Sequence, residues 1–224
     1  MKRLLLSIIA AALTITAGSI FANTDEDWTP VQFSFMPGAK NWPSKNSVKG
    51  VKFGLPISSM DGGINQKIYG AELGFVSMSQ NVSGAQLSFM NIDAKNCVGG
   101  QLSLANVATE FKGAQISGYN ELNKGSGAQV GIVNIGTANK SFATGVINYH
   151  ERNSRGIQLG AINSTQNYLG IQIGAFNFNN DDDVQQTGKQ KSSVIQFGAI
   201  NYMENGFLPV FILFNFSIQK YSFF

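Results

Sequence analysis

His150 is the only histidine in the chain and Cys97 the only cysteine. A metal centre built on several imidazoles is therefore excluded, and one cysteine makes no intrachain disulfide. His150 follows Asn148 and Tyr149 in a polar stretch, where an exposed histidine is expected. No GxSxG accompanies it, so no nucleophile elbow is formed. Asp181, Asp182 and Asp183 in "NNDDDVQQTGKQKSS" carry oxygen ligands of the kind calcium takes, but their spacing is not that of a calcium loop and no Glu closes it. A solvated loop, placed to serve in recognition, is the expectation there. The many glycines lack the Lys and Ser/Thr of a phosphate loop. Cys97 reads as a small apolar core residue. No catalytic residue, metal or cofactor is expected.

What recurs instead is an eight-residue phrase: "GAQLSFMN" from Gly84, "GAQISGYN" from Gly113, "GAQVGIVN" from Gly127, "GIQLGAIN" from Gly156 and "GIQIGAFN" from Gly170. Its closing asparagines are Asn91, Asn106, Asn120, Asn134, Asn148, Asn163, Asn177, Asn201 and Asn215. All but one of the steps between them are 14 or 15 residues; Asn177 to Asn201 is 24. "GAELGFVS" from Gly70 is an upstream unit, and "GVKFGLPI" and "PVQFSFMP" are weaker ones. A short fixed period marks a repeat architecture.

Within a unit, Ala85, Leu87 and Phe89 alternate with Gln86 and Ser88, as a half-buried strand does. The plain reading puts the apolar set in the core and Gln86, Gln101, Gln115, Gln129, Gln158 and Gln172 in a row on an outer face. There they would satisfy one another or bind a regular ligand such as a glycan or ice. Gly and Asn both tolerate left-handed backbone and are placed at corners. Ile92, Val107 and Ile135 would then point inward after their Asn. Stacked asparagines would bond along a ladder.

Two all-β architectures fit. One is a β-solenoid with one unit of about 14 residues per coil; the other is an up-and-down barrel of about 10–12 strands. The solenoid is favoured, because a membrane strand needs roughly 9–11 residues with one face apolar throughout. Here the apolar run around Leu87 is bounded by Ser83 and Asn91. "SFATGVIN" before Asn148 has lost both the first Gly and the Gln, which predicts an irregularity in the stack. The aromatic segment "NGFLPVFILFNFS" reads as a closing unit.

Lys2, Arg3 and the apolar run Leu4–Ala17, with small Ala22 at a cleavage point, read as a signal peptide over 1–22, followed by one β-repeat domain over 23–224. Removing Lys2 and Arg3 takes the formal charge from +3 to +1 (3 − 2 = 1). That leaves no basic field for nucleic acid. The tandem G-φ-Q-φ-G-φ-φ-N units, the early Tyr69-Gly70 and the Pro-containing aromatic end resemble a family of exported Gram-negative surface-repeat proteins. The resemblance implies an envelope or surface location; export to the outer membrane, cell surface or periplasm is the expectation, with an unidentified surface ligand or envelope component as partner and room for membrane association. The function expected is structural or binding, and the alternative is an outer-membrane barrel, a small pore.

Overall fold

In a computed structural model, residues 28–35, 42, 44, 47–58, 67–151, 154–180, 193–204 and 206–217 are described. Residues 1–22, expected to be a signal peptide, and Asp181–Asp183 lie outside the described residues. Among the described residues eleven strands form one continuous sheet: β1 (Trp28–Ser34), β2 (Ser47–Ser58), β3 (Lys67–Ser79), β4 (Asn81–Leu87), β5 (Met90–Leu102), β6 (Ala105–His150), β7 (Arg155–Gln166), β8 (Leu169–Ile173), β9 (Phe176–Asn180), β10 (Ser193–Met203) and β11 (Val210–Ser217). Neighbours pair in parallel and in register, like residue on like residue: Gly84 on Gly99, Gln86 on Gln101, Asn91 on Asn106, Gly156 on Gly170, Asn163 on Asn177. Parallel pairing of consecutive units makes a β-solenoid. An up-and-down barrel needs antiparallel neighbours, and of the paired strands only β10 and β11 are antiparallel.

The two weak upstream units are true coils. Val31 pairs with Val51 and Gln32 with Lys52, and Lys52 pairs in turn with Glu72. The 24-residue step inserts no extra coil, because Gln196 still pairs with Gln172 and Asn201 with Asn177. β11 turns back on β10 and closes the stack, as the aromatic ending predicts.

The first glycine of each unit is a corner. Gly84, Gly99, Gly113 and Gly127 have φ between +135° and +149°, a region almost reserved for glycine. A Cβ there would lie within 2 Å of the carbonyl oxygen of the glycine one coil earlier. The motif asparagines are not left-handed; positive φ outside glycine occurs, among the described residues, at Asn167 and Leu213. Their place at the corner has a different cause, given below.

The orientation of the strands is the reverse of the plain reading. The glutamines and asparagines point inward and are buried, while the alternating apolar residues face out. Leu87 is 51% exposed, Leu104 64% and Ile132 61%. Ile92, Val107 and Ile135 are half-buried; the residues that enter the core are one position later, such as Ala108 and Leu122. With Val48, Ile68, Val82, Cys97 and Phe111 they make the small apolar part of the interior. Cys97 is a buried core residue, as read.

Adjacent glycines separate geometry from composition. Gly99→Ala, whose Cβ would sit 1.9 Å from Gly84 O, is expected to cost several kcal/mol. Gly100→Ala meets nothing within 4 Å and is expected to change stability by less than about 0.5 kcal/mol. Urea denaturation of the two variants checks this; equal effects would remove the corner argument.

Candidate functional site

The ladder asparagines bond through both the nitrogen and the oxygen of the amide, and Asn120 uses its amide in full. Asn120 Nδ2 donates to Asn134 Oδ1 (2.9 Å) and to Val130 O (3.0 Å). Its Oδ1 accepts from Asn106 Nδ2 (3.0 Å) and Ser117 Oγ (2.9 Å). Two donors and two lone pairs are thus satisfied without water. The ladder continues without a break from Asn91 to Asn201. It explains the small residue three before each Asn. Ser88, Ser103 and Ser117 bond the Asn oxygen, whereas a Cβ at Gly160, Gly174 or Gly198 would lie 2.6 Å from an Asn nitrogen.

The glutamines form a second ladder. Gln101 donates to Gln86 (2.7 Å), Gln115 to Gln101 (2.8 Å), Gln129 to Gln115 (3.2 Å), Gln172 to Gln158 (2.8 Å) and Gln196 to Gln172 (2.8 Å). At its lower end the same column holds Lys52 and Glu72, an ion pair 3.9 Å apart with both side chains fully buried. Glu72 also accepts from Ser79 (2.8 Å) and from Gln86 (2.9 Å). Because these groups are interior, they offer no outer array to a glycan or to ice.

His150 is buried too, against the expectation of an exposed histidine. Burial in this interior lowers its pKa from 6.5 to about 4. Ala143 pairs with Gln158 in the glutamine column, so the predicted irregularity falls in the coil before Asn148. Among the described residues no three His, Cys, Asp or Glu side chains come together to hold a metal ion.

The groups that meet the outside are therefore different ones. One outer face carries Leu87, Leu102, Ile116, Val130, Ile173 and Phe197, each next to a ladder position. Around the Ser/Gly corner, a second face carries Phe89, Leu104, Ile132, Val146, Ile162 and Phe176. Near the start of the stack the two meet in an apolar groove of about 480 Å³ lined by Phe53, Leu55, Leu73, Phe75, Leu87 and Phe89. Phe75 and Phe89 stack there with centroids 4.5 Å apart. Charges collect on the third side, within three residues before several of the corners: Lys67, Glu110, Lys112, Lys124, Lys140 and Arg155 are all exposed. Glu121 is exposed as well and accepts from Tyr119 Oη at 2.8 Å. The repeat signalled the ladders; that the variable apolar positions meet the surroundings showed only in how their sizes differ from unit to unit. Comparison with known proteins finds no matching family model, no matching curated protein and no matching solved structure.

Glu72→Gln leaves Lys52 buried without its carboxylate and is expected to cost about 3–5 kcal/mol. The pair Lys52→Gln with Glu72→Gln extends the carboxamide ladder and is expected to recover most of that loss. Chemical denaturation of both variants decides it, since a double variant as weak as the single one contradicts the ladder account. For His150 the fold favours the neutral ring. Its contribution is complete above pH 6.5 and falls away as the pH drops towards 4, by roughly 3 kcal/mol over that window. Melting curves of His150→Asn should be flatter than wild type between those pH values; parallel curves would show that the ring does not titrate this way.

Proposed function

We propose that the protein is a non-enzymatic, exported envelope protein that binds a lipid surface through its two apolar faces. The observation that carries this is the inverted polarity of the two faces that hold the ladders, with carboxamides inside and Leu, Ile, Val and Phe outside. In water that arrangement leaves large apolar columns exposed, at about 25 cal/mol for each Å². Against hydrocarbon the same columns are in a matched solvent.

A solenoid wall also meets the requirement that lipid places on any backbone. Its N–H and C=O groups point along the stack to the neighbouring coils, so the sides offer none unpaired. The row of charges from Lys67 to Arg155 gives the stack one wet side. That favours a protein lying along the surface with this side in the headgroups, where Lys and Arg extend towards water. A single second copy would cover one apolar face and leave the other, which favours lipid as the occupant. The leader over 1–22 is consistent with export. The barrel alternative is not carried forward, because neighbouring units are parallel.

Flotation of the mature chain with phosphatidylethanolamine/phosphatidylglycerol vesicles tests the reading. The wild type is expected to rise with the vesicles. Leu102→Gln, Ile116→Gln and Val130→Gln together, which place three amides on side chains 38–50% exposed, should weaken partitioning roughly a hundredfold. A chain that stays at the bottom as a discrete oligomer would make the faces protein interfaces and overturn the lipid reading.

A further inference from the structure

The glutamine ladder is broken once. Ala143 stands where Gln129 below and Gln158 above expect a carboxamide, and the break leaves Gln129 Oε1 and Gln158 Nε2 buried without a hydrogen-bond partner. Ser141 Oγ, Nδ1 of His150 and Nε2 of His150 are buried and unpartnered in the same coil. Five orphaned polar atoms thus belong to one coil and its two neighbours.

The register brings them together. His150 pairs with Thr165, so it occupies the column that faces the glutamines. Members of that column touch it elsewhere: Ser79 Oγ meets Glu72 seven residues earlier at 2.8 Å, and Thr165 Oγ1 meets Gln172 of the next coil at 3.3 Å. His150 therefore lies between Ala143 of its own coil and Gln158 of the next. Ser141 replaces the corner glycine, pairs with Gly156, and is buried. Two residues from Ala143 along an extended strand, its side chain is directed to the same side.

We propose that this coil encloses a built hydration site, in which one or two water molecules occupy the space left by the missing glutamine and join Gln129 Oε1, Gln158 Nε2, Ser141 Oγ and the neutral His150 ring into one network. A polar cavity holds water when it offers two to four partners, and this one offers five atoms of mixed character. Gln158 Nε2 brings a donor and Gln129 Oε1 an acceptor. Ser141 Oγ supplies both, and a neutral imidazole adds one of each. A water can accept from Gln158 and donate towards Gln129, repeating the polarity of the absent carboxamide. An alanine in place of a glutamine withdraws the side chain beyond Cβ, and with the His150 ring projecting towards that space a guest there is no larger than water.

A high-resolution crystal structure of the mature chain is expected to show ordered density within hydrogen-bond distance of both Gln129 Oε1 and Gln158 Nε2. In Ala143→Gln the carboxamide should replace that density and the melting temperature should not fall. If the His150 ring leaves no room and this variant does not fold, Ala143→Gln with His150→Thr, the residue of the next coil, repeats the test. Ala143→Leu fills the gap without hydrogen bonds and should lower the melting temperature. Nitrogen shifts of His150 should show a single neutral tautomer with a slowly exchanging N–H. A dry gap with Gln129 and Gln158 turned to other partners, or Ala143→Leu as stable as Ala143→Gln, overturns the proposal.

Discussion

The constraint on which the structure depends is the hydrogen-bond saturation of stacked carboxamides. In a parallel in-register sheet, every side chain meets its own kind about 4.8 Å away along the stack. A buried carboxamide in that setting finds both donor and acceptor in its neighbours, so the usual penalty for burying an amide is offset at every coil. The condition is strict. One different residue leaves two atoms without partners, which is why identity is held so firmly at Gln and Asn. The corner geometry follows from the same requirement: the glycine φ near +140° lets each coil sit directly over the last, and the Ser/Gly position leaves room for the asparagine amides.

The two ladders run in opposite senses. Each asparagine donates to the coil above it, as Asn106 does to Asn120, whereas each glutamine donates to the coil below, as Gln115 does to Gln101. Their amide dipoles therefore oppose one another, and a tall stack accumulates less axial field than either ladder alone. Glu72 fixes the sense of the second ladder. A carboxylate has no N–H, so Gln86 must present its nitrogen downward and its oxygen upward, and each glutamine above inherits that orientation.

The sequence made the period, the corner glycines, the ladder positions and the odd coil before Asn148 legible, because each is a matter of spacing. It did not reveal which side of the strand is interior. Alternation with a period of two is symmetric between inside and outside, and ordinary hydrophobic burial assigns the apolar set inward. The decisive signal lay in the variation between units. The position after each ladder glutamine runs Leu87, Leu102, Ile116, Val130, Leu159, Ile173 and Phe197, sizes that an enclosed stack would not tolerate at random. Gln86, Gln101, Gln115, Gln129, Gln158 and Gln172 do not change, as residues that must bond to copies of themselves cannot. At these two neighbouring positions freedom of size goes with the outside and fixity of chemistry with the ladder; the interior column two residues after the Asn still varies, from Ala108 and Leu122 to His150 and Thr165. His150 was misread for a related reason: its polar neighbours suggested a surface leg, but its place two residues after an Asn puts it in the column of Ala108 and Leu122.

The break at Ala143 shows how far this logic reaches. The ladder above it, from Gln158 to Gln196, keeps the sense that Glu72 imposes below it, from Gln86 to Gln129. The ladders on the two sides of the gap point the same way, and a group that both donates and accepts would pass the polarity from one to the other. A hydroxyl, a neutral imidazole and water can each donate on one side and accept on the other; a protonated imidazole cannot, since both its nitrogens donate. Burial lowers the basicity of the His150 ring, and the neutral ring it favours is the form that can both give and receive a hydrogen bond beside the gap.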